Sequence, residues 1–351
     1  MKAIFDDLRG YSVQLRQQIT IISIFLLSLT SLVGCEEEGD TVDEAIVVEE
    51  SDTTVGDSGS DLDRSKWCTR YIYGGGETPQ IEDPECQKND GSGSLDFLND
   101  ERQRYRDFNR SGEAMHVVNN GVLQLRATKT RTDDDYANFE SAMIRSKELF
   151  KPSDNTSYYL TARLMMSNVV GTWPAFWLNS DRDVNGNTTW PPEIDIIDAA
   201  LNGVDDRVDM LHQSAISKGK QTDSGKTEYT FTSPEFDEQW KNFHANNDVS
   251  LRNKWVEVSA EWTKNEVCYF VDGYKTMCEK YRWVLDDGNS APPAHVLLNL
   301  AIGGQWAGRY GVGEEFLENY SAQETREMGL STTFPTQLGI DFVRIYSRTN
   351  N

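Results

Sequence analysis

The sequence predicts an all-β protein, a sandwich of two packed sheets, on three observations. Short segments with strand-like alternation recur along the chain, Gly, Asn, Asp and Pro separate them, and no long segment has the apolar spacing of an amphipathic helix. The alternation is clearest in residues 121–127, 158–165, 255–262 and 267–271. Many short strands between turns are typical of a sandwich, in which each sheet buries one face against the other. Residues 315–328 have helical composition but weak apolar spacing, and we interpret them as a loop or short helix.

The first 35 residues have the pattern of a bacterial lipoprotein signal peptide. Three basic residues precede an apolar run at residues 19–32, which is short for a membrane-spanning helix. The Leu-Val-Gly-Cys that ends this segment resembles a lipobox, in which cleavage before the cysteine is coupled to its lipidation. We therefore expect Cys35 to carry a lipid anchor in the bacterial cell envelope, at the outer membrane on its periplasmic or cell-surface face. An ordinary secretory signal with an incidental cysteine is the alternative.

Residues 36–63 are predicted to be an acidic, disordered tether. They contain twelve Asp and Glu residues and no Lys or Arg. This segment therefore contributes about half of the net charge of −23. Such a stretch repels itself and has too few apolar residues to fold. Residues 64–351 then form the folded domain, which is only mildly acidic. An acidic surface disfavours nucleic acid as a partner, and we expect a monomer.

Four cysteines remain after Cys35, and an even number in a compartment that permits disulfides fits two bridges. Cys268 and Cys278 flank a Val-Asp-Gly-Tyr hairpin signal, so they can bond across facing strands if the turn carries a bulge. Cys68 would then pair with Cys86. Three pairings are formally possible, and free thiols are the other alternative.

The segment WPPEIDIID, residues 190–198, sets three carboxylates among β-branched apolar residues. Regular alternation places Glu193 and Asp195 on one face of a strand and Asp198 on the other. A β-bulge between Asp195 and Asp198 would return Asp198 to the first face, and bulges are frequent beside active sites. A row of carboxylates suits glycoside hydrolysis, where one attacks the anomeric carbon and another, kept protonated, donates to the leaving oxygen. A half-buried strand whose acids face water is the alternative.

Three further segments accompany this strand: GTWPAFWLN (171–179), HVLLNLAIGGQWAG (295–308) and LGIDFVRIY (338–346). In this order and spacing the four segments resemble glycoside hydrolase family 16 over roughly residues 95–346. The family signature is a Glu-x-Asp-x-x-Glu strand on the concave face of a β-jelly roll. The resemblance therefore implies a jelly-roll sandwich of two curved antiparallel sheets with a concave substrate cleft.

Carried over by position, the resemblance makes Glu193 the nucleophile and Asp195 the assisting aspartate, and it places Asp198 where the family has its acid/base glutamate. Aspartate is shorter by one methylene, and a misplacement of about 1 Å can cost on the order of 10²-fold in rate. This departure leaves open whether the site is fully active.

The resemblance also implies residues that line the cleft, and for each a structural role is the alternative. Two tryptophans four residues apart would point to the same face of their strand, at the glycone half of the cleft. A third would lie at the rim beside two prolines. A histidine on the next strand would adjust the pKa of Asp198. An asparagine and a tryptophan come from the downstream segment. The predicted substrate-binding residues are Trp173, Trp177, Trp190, His212, Asn299 and Trp306.

No cofactor is expected for catalysis, but family members often carry a structural calcium. The resemblance places its ligands at the Asp341 carboxylate and the Gly121 carbonyl, and oxygen ligation suits that ion. A surface aspartate is the alternative.

The sequence therefore predicts a lipid-anchored, retaining endo-glycosidase that hydrolyses a β-linked polysaccharide by double displacement. The sequence motifs WPAFW and WPPEID resemble those of the β-1,3-glucanase branch, whose substrate is laminarin, more than those of the agarase or carrageenase branches. The alternatives are a β-galactan hydrolase and, because of Asp198, a non-catalytic carbohydrate-binding lipoprotein. A structural envelope protein is disfavoured, since it would have no use for three acids in line.

Overall fold

The computed structural model describes residues 62–71, 81, 83, 85–86, 101–129, 139–187, 189–199, 212–221, 227–232, 254–303, 307 and 333–349. Every described residue lies in the compact unit formed by residues 42–351. The signal peptide with Cys35, nearly all of the tether, residues 315–328 and Trp306 lie outside the described residues. Among those described, no helix could span a bilayer. Leu62, in the last two residues of the predicted tether, packs in the core. The predicted division into signal peptide, tether and folded domain stays a prediction.

The described fold is built from strands. In chain order they are β1 (Trp67–Cys68), β2 (Gln103–Tyr105), β3 (His116–Asn119), β4 (Val122–Lys129), β5 (Phe139–Ser141), β6 (Met143–Ser146), β7 (Thr156–Met165), β8 (Thr172–Ser180), β9 (Glu193–Asp198), β10 (His212–Gln221), β11 (Thr227–Thr232), β12 (Trp255–Trp262), β13 (Glu266–Val271), β14 (Tyr274–Lys280), β15 (Ala294–Ile302) and β16 (Thr336–Thr349). All four segments with clear alternation are strands, namely β4, β7, β12 and β13.

The strands form two sheets. The seven-stranded sheet has the order β1-β6-β15-β8-β9-β10-β11, and the nine-stranded sheet has the order β14-β13-β12-β7-β16-β4-β5-β2, with β3 also paired to β4. The pairings are antiparallel except for β2 with β5. Strands that are distant in sequence are neighbours, as when β15 inserts between β6 and β8. The predicted all-β jelly roll is confirmed.

The main core lies between the sheets because alternation points one apolar row of each strand inward. Leu160, Ala162 and Leu164 of β7 are fully buried there, and they belong to the same cluster as Ile194 and Ile196 of β9. β8 differs, since all nine of its residues are buried. Its second face packs in a separate small cluster with Met143 and Leu297, so the seven-stranded sheet is covered on both faces at its centre.

Both disulfides occur in the structure. Cys68 bonds to Cys86, which ties the two-residue strand β1 to the following segment. Cys268 bonds to Cys278, and these two residues are directly opposite each other in the β13–β14 hairpin. The hairpin turns at Asp272 and Gly273, both with positive φ, and its register shifts between Tyr269 and Phe270. The turn lies where the sequence suggested it, whereas the bulge lies in the paired strands between the turn and the Cys268–Cys278 bridge.

Candidate active site

The catalytic strand predicted from the sequence, β9, carries a β-bulge at Ile196. On β8, Trp177 is matched to Asp195 and the next residue, Phe176, is matched to Ile197, so Ile196 has no partner. β10 shows the same shift on the other side. Ile196 and Ile197 are both fully buried in the main core. Two consecutive isoleucines thus point inward, and this is the apolar pattern that stabilises the extra residue.

Because of the bulge, the three carboxylates share one face of the seven-stranded sheet, here called the acid face. Cross-strand partners lie on the same face of an antiparallel pair, and residues two apart on one strand do as well. Along β8 the partners are Asn179, Trp177 and Ala175 for Glu193, Asp195 and Asp198, respectively. On β10 the partners are Ile216, Ser214 and His212 in the same order. The tertiary structure thus brings the predicted catalytic residues into line.

Each carboxylate accepts a hydrogen bond from a different neighbour. The indole N–H of Trp190 donates to Glu193 Oε2 at 2.8 Å, and the Ser214 hydroxyl donates to Asp195 Oδ2 at 2.6 Å. The third carboxylate, Asp198, accepts from the Trp173 indole at Oδ1, also at 2.8 Å. Glu193 and Asp195 are in addition hydrogen-bonded to each other, which requires a proton between them.

Burial is the largest influence on the pKa of all three acids. It raises the pKa of Asp198 well above its ordinary value, the charge of Asp195 raises it further, and the Trp173 bond opposes both. Burial likewise raises the pKa of Glu193, and the charge of Asp195 raises it further. The hydrogen bond from Trp190 lowers it. The pKa of Asp195 is raised by burial to about 6, against the hydrogen bonds with Ser214 and Glu193. The line therefore keeps protons at a pH where exposed carboxylates have lost them.

These raised pKa values make a prediction about stability. The pKa of Asp195 is about 6 in the folded protein and 3.8 for an ordinary aspartate. The folded state therefore holds a proton that the unfolded state loses above pH 3.8, and stability falls as the pH rises through 6. Asp195→Asn removes this penalty and still bonds to Ser214. We expect it to raise the free energy of unfolding at pH 8 by up to about 3 kcal/mol and to leave it unchanged below pH 4.

Urea denaturation at pH 3.5 and pH 8 measures this difference. Glu148→Gln, at an exposed glutamate, is the control and should change stability little at either pH. A variant Asp195→Asn that is equally or less stable than the wild type at pH 8 would contradict the proposed burial penalty.

The predicted tryptophans of β8 do reach the acid face, but as buried floor residues. Trp173 and Trp177 are only 9% and 8% exposed. Their indole N–H groups donate to Asp198 and, at 2.7 Å, to Asn299 Oδ1. Trp190 is 36% exposed and has the ring accessibility expected at a rim. Of the three, Trp190 has the ring surface best suited to stacking on a sugar.

The other predicted cleft residues lie in three places. His212 is directly opposite Asp198 on β10, whereas the hydrogen bond described for that carboxylate comes from Trp173. Asn299 is on the acid face of β15, opposite Ala175. Trp306 lies outside the described residues. Roles in substrate binding for this group stay predictions.

Sequence reasoning missed a network beside Asp198. Tyr105 receives a hydrogen bond from Asn299 at 3.1 Å, and the Tyr105 hydroxyl and the Gln103 amide both donate to Glu101. The charge of Glu101 adds to the rise in the pKa of Asp198. A local signal was present, because Glu101, Gln103 and Tyr105 alternate at two-residue spacing and so share a face.

Tyr71 is a second missed residue. Its ring lies edge-on to Trp177 at 5.8 Å and to Tyr105 at 5.4 Å. It follows the disulfide cysteine Cys68 by three residues, so the bridge helps to hold it there. No local pattern marks this position, since its role depends on a long-range packing contact.

The predicted calcium ligands lie on and beside neighbouring strands of the nine-stranded sheet, because Asp341 is on β16 and Gly121 is the turn residue directly before β4. Asp341 sits at a register shift of β16, between Ile340 and Phe342, and Ile340 is matched to Leu123, two residues after Gly121. Asp341 forms an ion pair with Arg163, in which one carboxylate oxygen lies 2.8 Å from the guanidinium nitrogen. Oxygen donors are thus present, but Arg163 already neutralises the carboxylate, and calcium binding stays a prediction.

No known family model matches the sequence. The chain is 29% identical over 184 residues to a β-glucanase from Rhodothermus marinus, across 50% of this chain and 52% of that protein. It is 35% identical over 102 residues to a galactan endo-β-1,3-galactanase from Flammulina velutipes, across 26% of this chain and 39% of that protein. The chain thus spans about half the length, or less, of these relatives.

Solved structures align over most of the chain. The laminarinase from Rhodothermus marinus has 23% sequence identity and a TM-score of 0.52, covering 84% of this chain and 95% of its own. A non-specific endo-β-1,3(4)-glucanase of family GH16, SCLam, has 20% identity and a TM-score of 0.53, covering 87% and 92%. The chain has the glycoside hydrolase family 16 fold. At these identities the likeness concerns the fold, and the resemblance found in the sequence is confirmed at that level.

The family 16 fold explains why the acids lie where they do. In both its sheets, strands distant in sequence become neighbours, and the centre of the seven-stranded sheet combines β8, β9 and β15. These strands come from the segments 171–179, 190–198 and 295–308, on which the resemblance to the family was based.

Proposed function

We propose that the protein is a retaining endo-glycosidase that hydrolyses a β-1,3-glucan of the laminarin type. The observation that carries this proposal is the bulge at Ile196, which sets Glu193, Asp195 and Asp198 on one face. A buried row of acids with raised pKa values is costly for folding, and such groups concentrate at functional sites. The β-glucanase and laminarinase relatives support the substrate class.

The first step of the proposed reaction forms a glycosyl-enzyme bond. A Glu193 oxygen attacks the anomeric carbon while the bond to the leaving oxygen breaks, and Asp198 gives that oxygen its proton. Burial and the charge of Asp195 raise the pKa of Glu193, so the proton that the two carboxyls share rests on Glu193 before the reaction. For the attack this proton passes to Asp195, and Glu193 reacts as the anion. The Trp190 N–H, 2.8 Å from Glu193, stabilises that anion.

The second step releases the sugar. Asp198, now ionised, takes a proton from water, and the water oxygen attacks the anomeric carbon and displaces Glu193. Burial, and then the charge of Asp195 once that carboxyl is ionised again, raise the pKa of Asp198, so it stays protonated for the next cycle. Two displacements at the same carbon retain the β configuration.

Two other functions have an observation in their favour. The shorter Asp198, held at Oδ1 by Trp173, favours a non-catalytic carbohydrate-binding protein, since its proton lies farther from the substrate. The local likeness to an endo-β-1,3-galactanase favours a β-galactan hydrolase.

Reducing-sugar release from laminarin, mixed-linkage β-glucan, β-1,3-galactan, agarose and carrageenan distinguishes these functions. We expect laminarin to be cleaved, with the β anomer of the product appearing first in proton NMR. Cleavage of a galactan alone would identify the galactanase. Binding of laminarin oligosaccharides without cleavage of any substrate would identify the binding protein.

We also propose anchoring to the cell envelope through a lipid on Cys35. The sequence pattern at residues 19–35 supports this proposal. Cys35→Ser should move the protein from the membrane fraction to the soluble fraction of expressing bacteria, measured by immunoblotting, with Cys68→Ser as the control that keeps the lipobox. Unchanged membrane partitioning of Cys35→Ser would contradict lipid anchoring.

A further inference from the structure

The bulge of β9 is bound by a buried glutamine on the neighbouring strand. Gln213 lies on β10 between His212 and Ser214, which are matched to Asp198 and Asp195, so it is opposite the bulge. Its side-chain amide donates to the carbonyl oxygen of Ile196 at 3.1 Å. A bulge leaves one residue outside the ladder, and Ile196 is that residue. Gln213 is 3% exposed, so this bond is shielded from water.

The other end of Gln213 is held by the opposite sheet. Thr276 on β14 donates its hydroxyl to Gln213 Oε1 at 2.5 Å. The amide nitrogen and oxygen of Gln213 thus each have a partner of the right polarity. The bulge in the seven-stranded sheet is thereby connected through two side chains to β14 of the nine-stranded sheet.

Two tyrosines make comparable bridges to the regular parts of the same strands. Tyr281 donates to the carbonyls of Glu193 and Ile216 at 3.0 and 2.9 Å, and Tyr269 donates to the Ser214 carbonyl at 2.7 Å. These bonds hold residues that β-ladders already pair. The Gln213 bond differs, because it holds the residue that the ladder omits.

We propose that Gln213, oriented by Thr276, is a positioning residue that fixes the bulge and thereby aims Asp198 at the leaving oxygen. This inference rests on the proposed glycosidase function. A shift of register by one residue moves every side chain of a strand to the other face. Without the bulge, Asp198 would point to the core and lose its bond to Trp173.

The direct test is Gln213→Met, which keeps the length of the side chain and removes both hydrogen bonds. We expect its kcat on laminarin to fall by on the order of 10²-fold, because small misplacements of a catalytic group cost that much. On an aryl β-laminaribioside with an acidic leaving group, the fall should be less than about tenfold, because little protonation is needed. The KM values should change little.

Thr276→Val and Thr161→Val form a matched pair. Both remove a hydroxyl in the nine-stranded sheet, but Thr161 is bonded to Glu257 and not to Gln213. Thr276→Val should show a weaker form of the Gln213→Met effect, and Thr161→Val should not change the ratio of the two rates. Thermal denaturation shows whether each variant is folded. An equal fall on both substrates in folded Gln213→Met would overturn the positioning role.

The role can also be measured without turnover. The indole N–H resonance of Trp173 reports its bond to Asp198, and in Gln213→Met we expect it to shift and to exchange faster with solvent. Thr161→Val should leave it unchanged. If the wild type cleaves no substrate, the proposed function fails, and this resonance still decides the role of Gln213. An unchanged Trp173 resonance in Gln213→Met would overturn it.

Discussion

Glu193→Gln is expected to lower kcat on laminarin by on the order of 10⁴-fold or more, because the amide cannot form the glycosyl-enzyme bond. The substitution is nearly isosteric, and the amide oxygen still accepts from the Trp190 indole. Folding and oligosaccharide binding should therefore persist. Initial rates and calorimetric binding of laminaritetraose measure the two properties separately.

Glu261→Gln, at a half-buried glutamate of β12, is the matched control and should retain the wild-type rate. Chemical rescue adds a second measurement: azide with Glu193→Ala should give an α-glycosyl azide, because azide then attacks in place of the carboxylate. Retention of more than a few per cent of the wild-type rate by Glu193→Gln would exclude the nucleophile role.

Asp198→Asn should separate natural from activated substrates. Laminarin hydrolysis requires protonation of a poor leaving group, so we expect a loss on the order of 10²- to 10⁴-fold. With aryl glycosides that have acidic leaving groups, the rate of the first step should fall far less. The basic limb of the wild-type pH profile should lie well above the ordinary aspartate range, because burial and then Asp195 raise the pKa of Asp198.

Asp198→Glu tests the departure from the family pattern directly. The longer side chain restores the reach of the family's glutamate, and we expect the laminarin rate to be retained or raised if the site still fits it. Asp181→Glu adds the same methylene outside the acid line and serves as the control. Equal losses on both substrate types in Asp198→Asn would instead assign Asp198 a structural role, with the proton supplied by another group.

Several features were predictable because their causes are local. Alternation identified β4, β7, β12 and β13, and the turn residues at 272–273 identified the hairpin that contains the Cys268–Cys278 bridge. The parity of the acids in β9 required a bulge if they were to act together. The bulge is present because two consecutive isoleucines are both more stable in the core.

Other parts of the site depend on contacts between distant segments. The resemblance implied that Trp173 and Trp177 face the glycone half of the cleft. The structure places both on the acid face, with their rings buried. Trp177 packs against Tyr71 and hydrogen-bonds Asn299, which come from opposite ends of the described chain. A strand pattern shows which face a ring takes, and it does not show what covers that face.

The sequence by itself determined the all-β class and the residues of the acid line, since side-chain period and composition are properties of each strand alone. Only the tertiary structure decided how those acids are held. The pKa of Asp198 depends on its burial and on Asp195, and the bulge that aims it is bonded through Gln213 to Thr276 of the other sheet. Desolvation and hydrogen bonding between sheets exist only once the strands are packed, so no local pattern encodes them.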